Sequence, residues 1–311
     1  MATSRVTVDV EGRRLGLSNL DKVLYPKTGT TKSEVIEYYT RVAPTLLPHL
    51  QDRPLTRKRW PDGVDEASFF EKNAPRGTPD WVETVTLASP GSSRGTETVT
   101  YVICNDLPTL VWLANLAVLE LHVPQWTVVG GEPQDPDRLV IDLDPGPPAT
   151  IVECCQVGLI LAQALAADGL LAYPKTSGGK GLQAYVALDG DAPVEQVHGY
   201  ARRLAERLEK EHPGLIVSKM DKRVRGGKVL IDWSQNAAAK TTVAPYSLRG
   251  GDEPMVSTPV TWDEVAEVAE WNGDGDPPLF FDFHAALERL DGDADLLAPL
   301  HTERHALPIP E

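Results

Sequence analysis

The chain is poor in cysteine: three in 311 residues, Cys104, Cys154 and Cys155. An odd count with two adjacent thiols excludes a disulfide framework, and no Cys-x-x-Cys or Cys/His spacing offers a zinc ligand set. Long apolar runs are missing too. The N-terminus lacks the apolar stretch of a secretory leader, and no segment approaches a membrane span. A cytoplasmic protein with no membrane contact is the expectation. Internal repeats, long low-complexity tracts and a clean linker are all absent. That excludes a repeat architecture and favours one compact unit of two interleaved modules over a tandem of domains. Positive charge is scarce: acids outnumber bases 45 to 30, for a formal net charge of −15.

The deficit of bases excludes a uniformly basic nucleic-acid binder, but it is local. Residues 252–311 hold 15 acids and 2 bases, which leaves 30 acids and 28 bases in residues 1–251. Local patches decide phosphate binding, and two are present, at Arg53–Arg59 and Lys219–Lys228. The acidic segment is expected to face away from a polyanion and to aid solubility. The whole chain, 1–311, reads as a single domain with an acidic segment at about 252–311.

What the chain does have is Val140-Ile141-Asp142-Leu143-Asp144-Pro145, followed later by Val229-Leu230-Ile231-Asp232-Trp233. Side chains alternate on a strand, so Asp142 and Asp144 share a face, roughly 7 Å apart. Two carboxylates so placed can bridge divalent cations about 3.5–4 Å apart. Asp232, in a second strand-like run, is a third ligand if the two strands are neighbours. The competing reading is a strand end whose carboxylate caps the turn at Pro145-Gly146-Pro147-Pro148.

Between these runs lies Thr176-Ser177-Gly178-Gly179-Lys180-Gly181-Leu182. Successive backbone N–H groups of such a turn can form an anion cradle, to which Lys180 adds charge and Ser177 a hydroxyl. It is not a Walker A loop, because Lys180 precedes glycine and the run from Leu182 to Leu188 reads as strand. A glycine hairpin with a wet lysine is the alternative. Ser218–Lys228 then holds five bases against one acid and ends in Gly226-Gly227, which predicts a mobile basic loop leading into the Asp232 strand.

Thr31-Lys32-Ser33-Glu34 predicts a capping box that opens a helix running to about Val42. Lys22 and Lys32 then lie near that helix start, where free N–H groups and the dipole favour an anion. Leu107 to Glu120 reads as a buried helix ending near His122, for which a satisfied structural histidine is the plain interpretation. Thr150 opens another helix, and Pro193 to His212 is amphipathic. Strands are predicted at 98–103, 139–144, 182–188, 215–218, 229–233 and 243–248. Such mixing argues for an α+β fold, with helices flanking two small mixed sheets.

These strings, together with Leu17-Ser18-Asn19-Leu20-Asp21-Lys22-Val23-Leu24-Tyr25-Pro26 and Arg57-Lys58-Arg59-Trp60-Pro61, resemble the polymerase domain of bacterial ligase D, in the archaeo-eukaryotic primase superfamily. The motifs occur in family order, and the resemblance covers about residues 15–290, which implies that 1–311 is a single primase-polymerase domain with its core there. The resemblance implies a primase-like fold and a DNA-dependent nucleotidyl transferase that fills gaps and extends ends with ribonucleotide preference in double-strand-break repair. It implies two divalent ions, Mn²⁺ or Mg²⁺, on Asp142, Asp144 and Asp232. It assigns Lys58, Ser177, Lys180 and Arg249 to the incoming nucleoside triphosphate, and His122 and Gln235 to its sugar and phosphates. Arg225 falls on the basic loop near the nucleotide. Phe69 and Phe70 are matched to base stacking, Arg59 to DNA, and Asn19, Lys22 and Lys32 to a pocket for a 5′-phosphate. Ala88 to Thr98 matches a loop that bridges two ends. One residue departs from the pattern: Gln183 stands where many relatives have a phosphate-contacting histidine, and glutamine cannot carry charge.

The resemblance names DNA with gaps or 5′-phosphorylated ends as the partner, with Ku and a DNA ligase in its context. Neither ligase nor nuclease motifs follow, which reads as a stand-alone enzyme or an excised domain. The rival functions are a de novo primase, a weakly catalytic end-binding scaffold, and a glycosyltransferase using Asp-x-Asp. The last gives the basic loop and the phosphate pocket no purpose.

Overall fold

The structure is a computed structural model that describes residues 5–88, 97–275, 277–292 and 294–308. The first half of the chain runs β1 (Arg5–Val10), β2 (Arg13–Ser18), β3 (Val23–Tyr25), β4 (Thr30–Thr31), α1 (Lys32–Leu50), β5 (Pro54–Arg59), β6 (Phe69–Glu71), β7 (Thr84–Ala88), β8 (Thr98–Ile103), α2 (Leu107–Asn115), β9 (Val118–Val123), β10 (Val128–Val129) and β11 (Glu132–Pro133). The second half runs β12 (Arg138–Pro145), α3 (Ile151–Ala167), β13 (Ala172–Thr176), β14 (Leu182–Ala187), α4 (Val194–Glu211), β15 (Ile216–Val217), β16 (Val229–Asp232), β17 (Thr242–Val243), α5 (Trp262–Ala269), α6 (Phe283–Gly292) and α7 (Pro299–Thr302). This is an α+β fold. No helix among the described residues is long and apolar enough to cross a membrane.

Two sheets carry the architecture. One has the order β17-β9-β5-β8-β7, with β6 also on β5; the other has β13-β14-β12-β16-β15. In the second sheet only the β15–β16 pair is parallel. Strand alternation sorts its residues by face. Leu139, Ile141, Leu143, Leu182, Ala184, Val186, Val229 and Ile231 all enter one core beneath α3 and α4. Asp142, Asp144, Gln183 and Asp232 have the other parity and face away from it.

The two halves interlock. Strand β17 leaves the second half and pairs with β9 of the first, Thr242 opposite Val123 and Val243 opposite His122. Ala244, Tyr246, Leu248, Val256 and Phe283 pack into the same core as Tyr38, Tyr39, Leu46 and Leu121. Packing extends on both sides of residues 15–290. Val8 and Val10 lean on the first core, and Leu297 and Leu300 pack with Val140 and Tyr185. The acidic segment is therefore structural, and its Asp295 is largely buried. All three cysteines are free and buried, and burial pushes their thiols up.

Several elements differ from the sequence expectation. Helix α1 does not stop near Val42 but runs to Leu50 through Pro44 and Pro48. Its buried face continues at Ala43, Leu46, His49 and Leu50, and that packing outweighs the two backbone bonds the prolines remove. The segment 107–120 is not one helix. Helix α2 ends at Asn115, Ala117 takes a left-handed φ of 58°, and β9 begins. An apolar run buried on all sides has no period to separate helix from strand. His122 is thus a strand residue rather than a helix end. Of the run 243–248 only Val243 is in β17, after which Ala244–Leu248 turns into the core.

Candidate active site

The carboxylates meet because of register. Asp142 on β12 lies directly opposite Asp232 on β16, and Gln183 on β14 flanks it from the other side. One carboxylate oxygen from each of Asp142, Asp144 and Asp232 falls within 4.8 Å of the other two. Burial and the neighbouring Asp144 raise the Asp142 carboxyl to about 7, against the bond donated by Gln183. Burial and Asp232 raise Asp144 as well, opposed by Arg225 and Arg249. The cluster is therefore short of positive charge, and its all-oxygen donor set fits hard divalent cations such as Mg²⁺ or Mn²⁺.

Asp232 is held in place by its own chain. Its Oδ1 accepts from Ser234 N–H (3.0 Å) and Ser234 Oγ–H (2.6 Å), and its Oδ2 from Gln235 Nε2 (2.8 Å). Gln235, matched by resemblance to the nucleotide, is here tied to this carboxylate. The Gln183 side-chain amide donates to Asp142 Oδ1 at 3.0 Å. The residue in the phosphate-histidine position thus supports a carboxylate directly.

The Ser177–Gly181 turn sits at the Asp144 end of β12. Ser177 Oγ accepts from Gly179 and Gly181 N–H at 3.2 and 3.1 Å, which fixes the curl of the turn. A Cβ on Gly181 would stand 2.3 Å from the Leu143 carbonyl oxygen, and Gly178, at φ 68°, packs on Arg249 and Ser257. Only glycine permits these approaches. Lys180 is exposed at the tip. The basic loop is fastened on the opposite side: Gly227 N–H donates to the Gly146 carbonyl (3.0 Å), and Arg225 donates to Met220 O (2.6 Å). The Lys219–Lys228 segment is a held turn containing a 3₁₀ helix at Lys222–Val224, not a free loop.

The first sheet brings a second set of cations. Lys58 lies opposite both Glu120 on β9 and Phe70 on β6. Glu120 is 3% exposed, accepts from His122 Nε2 (2.7 Å) and Gly250 N–H (3.0 Å), and is 3.5 Å from Arg249 Nε and 3.8 Å from Lys58 Nζ. Burial pushes this carboxyl up, but the His122 bond and Arg249 more than offset it, holding it at about 2. Burial lowers His122 despite Glu120, so the imidazole is a neutral donor to a charged carboxylate. Arg249 also donates to the Ser177 carbonyl at 3.1 Å, joining this group to the turn. Glu120 has no motif around it. Its only sequence signal is an acid at an otherwise apolar strand position. Lys175, fully buried opposite Gln183 and bonded to Ser257, is equally silent in the sequence.

Phe69 and Phe70 are 47% and 50% exposed, so they are not core residues. Phe70 meets His122 edge-on at 5.6 Å, and Arg59 lies over Phe69 while pairing with Glu71. Half of the Arg53–Arg59 patch is unavailable to a ligand. Arg57 and Arg53 are buried, the first bonded to the Asn73 carbonyl and the second to Asp137.

Asn19, Lys22 and Lys32 gather where β2 leads toward α1. Asn19 takes a left-handed φ of 55°. Lys32 Nζ bonds the Ser18 carbonyl at 2.7 Å, and burial with Lys22 nearby lowers it to about 8. Lys22 pairs with Asp62. The helix start itself offers no free N–H. Those of Lys32 and Ser33 go to the carbonyls of Lys22 and Leu20, and Thr31 Oγ takes that of Glu34. The capping box therefore competes with an anion for these donors, and the lysines are what remains. The 88–98 loop falls largely on residues 89–96, outside the described residues.

A family model described as "LigD, primase-polymerase domain" matches residues 31–297. The chain belongs to the LigD primase-polymerase domain family. It is thereby a polymerase-type nucleotidyltransferase, with the divalent-metal dependence that the family implies. It is 45% identical over 291 residues to the multifunctional non-homologous end joining protein LigD of Mycolicibacterium smegmatis, covering 93% of this chain and 36% of that protein. Against LigD of Mycobacterium tuberculosis H37Rv the identity is 43% over 298 residues, 94% of this chain and 37% of that protein. The chain thus spans a little over a third of those curated LigD relatives. A solved polymerase domain of M. tuberculosis ligase D in complex with DNA superposes with a TM-score of 0.86 at 42% identity, covering 94% of this chain and 99% of that one.

Proposed function

We propose that this LigD-type domain is a DNA-dependent nucleotidyl transferase that fills gaps and extends broken ends, with preference for ribonucleotides, in double-strand-break repair at the bacterial nucleoid. The observation that carries this reading is the convergence of Asp142, Asp144 and Asp232 between a Ser/Gly/Lys turn and a cationic group organised by Glu120. Bound Mg²⁺ or Mn²⁺ ions would neutralise charge on the transferring phosphoryl group and lower the pKa of the attacking hydroxyl. The residues of the chain do the rest. Lys180, Ser177, Arg249 and Lys58 hold the triphosphate, and His122 meets its sugar. Asp232, its oxygens fixed by Ser234 and Gln235, positions the primer 3′-hydroxyl, which bonds to the α-phosphorus as pyrophosphate leaves. Phe69 and Phe70 stack on template bases, with Arg59 on the adjacent backbone, a sequence-tolerant grip. Asn19, Lys22 and Lys32 take the 5′-phosphate across the gap. Ku and a ligase are the proposed partners in joining.

The test is extension of a labelled, 5′-phosphorylated gapped duplex with ribo- and deoxynucleotides and with each metal. Wild type should extend, faster with ribonucleotides and at least as fast with Mn²⁺ as with Mg²⁺. A folded Asp232→Ala variant should not extend. Extension by that variant would overturn the site. Equal or reversed sugar rates would overturn the ribonucleotide preference, and initiation on a template without a primer would favour a de novo primase.

A further inference from the structure

Away from this site, a second group of ligand-type side chains converges among the described residues: His49 in the last turn of α1, Asp295, and His301 in α7. One ligand atom from each lies within 4.8 Å of the other two. His49 is fully buried and Asp295 is 15% exposed, with His49 Nε2 2.9 Å from Asp295 Oδ2. The His301 ring lies 4.5 Å from that of His49, and His301 Nε2 is buried with no partner. The proposed polymerase chemistry uses none of these groups.

We propose that His49, Asp295 and His301 form a structural Zn²⁺ site that pins the C-terminal segment to the end of α1. Two imidazoles and a carboxylate are the donor set of Zn²⁺ and similar transition ions, not of Mg²⁺ or Ca²⁺. Burial holds His49 low, and burial with His49 and Arg138 nearby holds His301 at about 4. Neutral imidazole is the form that binds metal. The second oxygen of Asp295 accepts from Tyr246 O–H (2.7 Å) and Leu297 N–H (2.9 Å), outer contacts that orient a ligating carboxylate.

Arg53 and Arg138 also approach the cluster and oppose a cation. Asp137 answers both, at 2.5 and 3.8 Å, and Asp295 adds the second negative charge. Ligation at about 2.0–2.2 Å requires the three ligand atoms to adjust around the ion from their present positions, within 4.8 Å of one another. Three protein ligands leave one position for water.

The experiment uses the full chain, stripped with chelator and returned to excess Mg²⁺, which occupies the aspartate cluster. Titration with Co²⁺ should give visible bands of imidazole-ligated, low-coordinate cobalt that saturate at one equivalent and vanish on adding Zn²⁺. Zn²⁺ should raise Tm by about 5 °C. His301→Gln, a change at a partly exposed position, should lose the bands and the Zn²⁺ shift while keeping the metal-free Tm and Mg²⁺-dependent extension. Asp232→Ala should keep the bands. Their absence from wild type, their survival in both His301→Gln and His49→Gln, or their loss in Asp232→Ala would each overturn the proposal.

Discussion

Glu120 is buried among Lys58, His122 and Arg249, and a carboxylate in that company fixes where the cations stand. Its value of about 2 lies below the ordinary 4.5. A depressed carboxyl stabilises the fold above its unfolded value and loses that contribution as pH falls through 4.5 toward 2, about 3 kcal/mol in all. Glu120→Gln should therefore be less stable at pH 7 and lose much less stability than wild type in that acid window, as urea unfolding of the two proteins across it would record. Gln183 acts on a carboxylate from outside, through its bond to Asp142. Gln183→Ala should weaken Mn²⁺ binding roughly tenfold, measured by calorimetric titration. An unchanged affinity would mean that the amide is bystander packing. Glu120 was not legible in the sequence, because nothing near it in the chain announces the two cations that arrive from β5 and the Leu248–Gly250 turn, or the imidazole it bonds on β9.

Elements are where the sequence spoke most clearly and also misled. The capping boxes at Thr31 and Thr150, the amphipathic α4 and the Asp142 strand were all readable, because each signal is local. The extent of α1 and the break after α2 were not, since Pro44, Pro48 and Ala117 are overruled or exploited by packing partners far away in the chain. The Ser177–Gly181 turn owes its place to close backbone approach. Gly181→Ala would press a methyl carbon into the Leu143 carbonyl. The turn should shift off β12 and extension should fall about a hundredfold or more, while circular dichroism stays native. Near-normal kinetics would show that the turn is not part of the nucleotide site. Pro44→Ala restores a helix donor at an exposed position and should stabilise the protein by about 1 kcal/mol, read from the urea midpoint.

At the scale of the molecule, two sheets with separate cores meet along the returning strand β17, and the proposed polymerase site draws on both. The lysine pair is the part that would make this domain prefer a broken end. Lys32 is held low by burial and by Lys22, an arrangement that a phosphate would relieve. A gapped duplex with a 5′-phosphate should bind about tenfold tighter than its hydroxyl counterpart at low salt, and the difference should shrink as salt rises. Lys22→Ala, at a half-exposed position, should remove most of that difference, and Lys22→Ala with Lys32→Ala should remove all of it. Equal binding of the two duplexes by wild type would sink the end-recognition reading. The sequence by itself determined the chemistry-bearing pieces: the paired carboxylates on one strand face, the Ser/Gly/Lys turn, the basic segment and the family they spell. Each depends only on side-chain type and on periods of a few residues. The tertiary structure alone decided which pieces meet. Cross-strand register set Asp232 against Asp142 and Glu120 against Lys58, and burial chose which arginines are structural. It also folded the acidic C-terminal segment into the core, because desolvation and long-range pairing have no signature in a local stretch of chain.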